Sequence, residues 1–111
     1  MPPEARKLMV DIQSGIDDIR QFTSAMDLAG YRLDAKCRAA VERKFDIIGE
    51  ACARIRDRFP ELFSRIASGH QIIGFRNRLI HGYDNVDDAI VWDIVTRKIP
   101  VLAKEIESLG Y

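Results

Sequence analysis

Apolar residues return along this chain at alternating intervals of three and four, the period of an α-helix buried on one face. Leu8, Ile12, Ile16, Ile19 and Phe22 predict a first helix from about residue 4 to 25. The stretch "AGYR" interrupts it, and Asp34 is placed to cap a second helix, because its short carboxylate can accept from the free amides of a first turn. Val41, Phe45, Ile48, Cys52, Ile55 and Phe59 carry that stripe to about residue 59. Pro60 suits the first turn of a short helix, "PELFSRIAS", which Gly69 is expected to end. Another helix is predicted over 71–81, with Gly82 as a left-handed C-terminal residue. Asn85, followed by Asp87 and Asp88, reads as the cap and acidic first turn of a last helix. Val91, Val95, Leu102, Ile106 and Leu109 mark its buried face. Pro100 has no amide hydrogen and should kink or break this helix near Ile99.

No segment alternates with the period of a strand. The pattern predicts an all-α fold, an up-and-down bundle of four main helices plus one short helix, with residues 1–111 forming a single domain. Charged residues at 31% and hydrophobic residues at 47% are a globular balance. No apolar run approaches the roughly 20 residues of a membrane span, and the N-terminus lacks a hydrophobic signal region, so the expected location is cytoplasmic. Cys37 and Cys52 lie 15 residues apart on one predicted helix, about 22 Å along its axis, which excludes a disulfide between them within the chain.

Charge changes the picture only locally. The chain holds 17 basic and 17 acidic residues, but residues 32–83 hold 11 Lys or Arg against 6 Asp or Glu. This favours a small anion-reading site in the middle of the chain over an extended duplex-binding surface.

Within that region stands "FRNRLIHGY", residues 75–83. On an ideal helix Phe75, Leu79, Ile72, Ile80 and Ile73 make one apolar arc of about 160°, and Arg76 falls in its middle. A guanidinium keeps its charge and needs an anion or water there. His81 has the unperturbed pKa closest to neutrality and can exchange protons at working pH. Asn77, one turn before it, could hold the imidazole in one tautomer. Arg78 adds a second positive charge to the run, able to meet a phosphate. Arg76 and His81 are about 140° apart on an ideal helix, so one helix does not aim both at one atom. Either the helix ends near His81 and the chain turns, or two copies of the segment face each other; the second is favoured, a symmetric dimer with two arginines and two histidines across one cleft. Gly74, which costs a helix interior about 1 kcal/mol, suggests close packing against another helix, of the same chain or a second copy. No metal site is expected, since His70 and His81 would be about 16 Å apart on a continuous helix.

An arginine and a histidine suit RNA cleavage by the substrate's own 2′-hydroxyl. The nucleophile comes with the substrate, so the protein must supply only proton transfer and charge stabilisation. DNA lacks the attacking hydroxyl and should be inert.

The run "RNRLIHGY" carries the Arg-x-x-x-x-His-x-Tyr signature of HEPN-domain toxins, and the chain resembles the HepT type. "IIGEACARI" at 47–55 is similar to the Ile-Gly-Glu-Ala segment of that family's long helix, and "VWDIVTRKIPVL" at 91–102 to its last helix. The resemblance implies a HEPN-like bundle and a homodimeric, metal-independent ribonuclease toxin, with Arg76 and His81 catalytic and no cofactor. It also implies a partner, an MntA-type nucleotidyltransferase antitoxin that attaches AMP to the motif tyrosine, here Tyr83. The alternative class is a non-catalytic helical interaction or nucleotide-binding module, in which Arg76 and Tyr83 serve a partner interface.

Overall fold

The computed structural model describes residues 1–82 and 86–111. Helix α1 spans Pro3–Phe22, α2 Leu28–Leu33, α3 Ala35–Arg58, α4 Pro60–Phe63 and α5 Gly69–His81. The last rod is composite: α6, Asp88–Asp93, runs through a π-helical turn, Ile94–Lys98, into α7, Ile99–Glu107. No strand occurs among the described residues. The architecture is the expected all-α, HEPN-like bundle, with α1, α3, α5 and the α6–α7 rod as its four main members.

The 24-residue α3 is the central rod, about 36 Å long at the usual rise, in a body of 42 × 28 × 19 Å. Helix α1 packs along one side of it and α5 along another, while α7 closes against α1. The stripes read from sequence meet in the core: Ile12, Ile16 and Ile19 of α1, Phe45, Ile48 and Ile55 of α3, and Leu102 and Ile106 of α7 are fully buried. Each such side chain contributes about 1.5–3 kcal/mol by leaving water. Phe45 and Phe75 meet edge-to-face at 4.9 Å and fasten α5 to α3 one residue before Arg76.

Several boundaries differ from the predicted ones, each for a local reason. Helix α1 ends at Phe22, where the Thr23 hydroxyl donates to the Ile19 carbonyl at 2.8 Å and Ala25 turns left-handed at φ 59°. "AGYR" lies inside α2, because Asp27 caps it by accepting from the Gly30 amide at 2.7 Å. Asp34 caps α3 as expected, accepting from the Cys37 amide at 2.9 Å. Gly69 opens α5 rather than ending the preceding piece: Glu105, from α7, accepts from the Ser68 amide and hydroxyl at 3.0 and 3.3 Å and orders the start of the helix. Gly82 is not left-handed (φ −117°, ψ 26°), since its amide already reaches the Arg78 carbonyl at 2.9 Å. Asp87 caps α6 through the Ala89 amide, whereas Asn85 lies outside the described residues. Pro100 shifts the helix instead of ending it, for the Ile99 amide reaches back five residues to Ile94. The wider turn absorbs the proline before α7 resumes.

Cys37 and Cys52 are unpaired and buried. Burial, and secondarily Glu105, pushes the Cys52 thiol up to about 12, so it is a packing group at neutral pH.

Candidate active site

Arg76 leaves α5 toward α3, in the middle of the apolar arc. Its aliphatic stem lies across Gly49, where an added Cβ would come within 2.4 Å of the arginine Cβ. That close crossing puts the guanidinium between two acidic residues one helical turn apart. Arg76 Nε donates to Asp46 Oδ1 at 3.0 Å and Nη2 donates to Glu50 Oε2 at 3.1 Å. Nη1 donates to the Asn77 side-chain carbonyl at 3.2 Å. The partner of the Arg76 charge is thus a pair of carboxylates on α3.

The same carboxylates hold two further arginines. Asp46 Oδ2 accepts from Arg43 Nη1 at 2.9 Å, and Glu50 Oε1 accepts from Arg54 Nε at 3.0 Å. The five charges line a cleft of about 280 Å³ together with Asp11 of α1, so three arginines face three carboxylates there, and Asp11 accepts from Lys7 Nζ at 2.7 Å.

His81 is the last residue of α5 and is exposed. It lines a different cleft, of about 370 Å³, together with Arg78, Leu79, Val86 and Ile90. Arg76 does not line that cleft. Arg78 therefore shares a cavity with His81, while Asn77, expected to steady the imidazole, has its carbonyl on Arg76. Tyr83 lies outside the described residues. His70 packs its ring edge-to-face on Phe63 at 4.8 Å. Among the described residues no cluster of His, Cys, Asp or Glu is arranged to hold a metal, and no helix is long and apolar enough to cross a membrane.

The outer face of α5 is open. Asn77, Arg78, Ile80 and His81 are exposed, and an added Cβ at Gly74 would meet nothing within 4 Å. Packing within the chain therefore does not account for Gly74.

A family model described as "Ribonuclease HepT-like" matches residues 12–109. A protein of Methanocaldococcus jannaschii, provisionally named an RNase, is 33% identical over 104 residues, covering 94% of each chain. A second such protein of that organism is 32% identical over 106 residues, 96% of this chain and 87% of its own. A protein of Thermococcus cleftensis, provisionally named ribonuclease HepT, is 34% identical over 99 residues, 89% of each chain. No solved structure matches.

Proposed function

The chain belongs to the HepT-like ribonuclease family, and on that premise we propose that it is a toxin endoribonuclease that cleaves RNA without a metal. The observation that carries this reading is a guanidinium with two N–H groups that no described residue engages, and an exposed imidazole five residues on, both on a helix whose outer face is open among the described residues. The 2′-hydroxyl attacks the adjacent phosphorus as His81 takes its proton. The bond to the 5′-oxygen breaks as the imidazolium so formed gives a proton to the leaving oxygen, and the products are a 2′,3′-cyclic phosphate and a 5′-hydroxyl, with the histidine neutral again. Arg76 stabilises charge on the phosphoryl oxygens throughout. General base catalysis supplies about 10²–10⁴-fold and one oxyanion donor about 10²–10³-fold, together a modest enzyme.

The separate clefts of Arg76 and His81 argue that the working unit is a homodimer, in which the open faces of α5 meet and the two motifs line one cavity. Arg78, beside His81, then contacts the RNA backbone. Regulation falls to an MntA-type nucleotidyltransferase that transfers AMP to the Tyr83 hydroxyl, with pyrophosphate leaving from ATP. An adenylate two residues from His81 brings its own phosphate and base, so it competes with RNA for the arginine and covers the histidine.

The deciding experiment is cleavage of a labelled RNA by protein whose intact mass shows no adduct, with a chelator present and His81→Ala alongside. Cyclic phosphate ends from wild type, and none from the variant, support the proposal. The binding-module reading draws on one observation, that Arg76 already has two carboxylate partners within its own chain. It expects no cleavage by either protein and weaker dimers from Arg76→Ala.

A further inference from the structure

We propose that Asp46 and Glu50 are positioning residues for this reaction, holding the Arg76 guanidinium as a preset phosphate fork; the inference rests on the ribonuclease reading above. A guanidinium has five N–H donors. Three are engaged, by Asp46, Glu50 and Asn77. The remaining two stand one on each terminal nitrogen, the number that a bidentate phosphate contact uses. A free arginine side chain samples many rotamers and loses that freedom on binding. Here the loss is met on folding, since the stem is seated on Gly49 and the head is gripped from two successive turns of α3.

Two carboxylates outnumber one guanidinium, and that balance by itself opposes phosphate binding. Arg43 and Arg54 reverse the balance, each bonded to the outer oxygen of one carboxylate. Asp11, also on the cleft wall, is itself bonded to Lys7, so the arginines are not outweighed where a phosphodiester arrives, while the carboxylates fix where the central cation points. Partly exposed ion pairs of this kind add little to stability, so the network has little value as a staple. Its value is orientation, where an error of about 1 Å can cost about 10²-fold in rate.

The test is steady-state cleavage of a short RNA by Asp46→Ala, Glu50→Ala, Asp46→Asn and Glu50→Gln, each alone and on an Arg76→Ala background, with thermal unfolding of every variant. The alanine variants should lose about 10- to 100-fold in kcat. The Asn and Gln variants keep an acceptor oxygen and should recover most of that loss, with a lower KM because a negative charge has left the cleft. On the Arg76→Ala background none of the four should lower kcat further. Folded alanine variants that cut at the wild-type kcat would overturn the proposal, as would an equal loss with and without Arg76. Where the alanine variants do not fold, the Asn and Gln variants decide, and an unchanged or raised KM overturns it. Failure of wild type itself to cut RNA marks the ribonuclease reading as the one that fell, and this proposal with it.

Discussion

Arg76 and His81 stand five residues apart on α5, yet they open onto different clefts. Arg76 is turned inward onto α3 and gripped by Asp46 and Glu50, whereas His81 is exposed at the helix end. Helix geometry enforces this division, since five steps of 100° leave two side chains about 140° apart. The dimer proposed above answers this division by bringing a second α5 to the site.

Mixed dimers test that arrangement. Arg76→Ala and His81→Ala should each lower cleavage by about 10²–10⁴-fold. When the two variants are unfolded together and refolded, half of the dimers carry one intact arginine and one intact histidine. Cleavage by the mixture should rise well above either parent, read as the initial rate on a labelled RNA. A mixture no faster than the average of its parents would show that each chain acts alone.

Two glycines facing opposite ways on the α3–α5 pair should respond in opposite directions to the same change. Gly74 has open space around it, so Gly74→Ala should stabilise the separated chain by about 1 kcal/mol through helix propensity. Gly49 carries the Arg76 stem, and its Cβ would stand 2.4 Å from another carbon. Gly49→Ala should therefore destabilise by about 1–3 kcal/mol, as overpacking does. Urea unfolding at low protein concentration reads both. Equal effects of the two substitutions would contradict the close crossing at Gly49.

The helices were legible because burial on one face leaves a period that composition cannot hide. The stripe of α3 is found buried from Val41 to Ile55. Arg76 was legible as an anomaly, a permanent charge inside an apolar arc, and that anomaly correctly called for an anion. Which anion answered was not legible, because it depends on which turn of α3 lies under α5. Gly49, flanked at close range by Asp46 and Glu50, is the one signal in the sequence that marks the crossing. The start of α5 was missed for a similar reason: its ordering carboxylate, Glu105, comes from 37 residues away. The π turn before Pro100 is a third case, for a missing amide predicts a disturbance and not its form.

A last prediction concerns Glu42, on the side of α3 that faces α6. Burial first, and the nearby Asp88 second, raise its carboxyl above the usual range, while Arg38 pulls it down. The folded chain thus takes up this proton at a higher pH than the unfolded chain does. Stability from this group is greatest below the ordinary glutamate pKa and falls as the pH rises through it toward the folded value. At pH 7 the charged carboxylate is a net cost. Glu42→Gln should raise stability there, by less than about 1 kcal/mol because the side chain is only partly buried. Near pH 4 the advantage should shrink toward nothing, since the carboxyl is then largely protonated in the folded chain. Urea unfolding of both proteins at the two pH values measures the difference. A loss of stability at pH 7 would mean that the contact with Arg38 outweighs burial and Asp88 together.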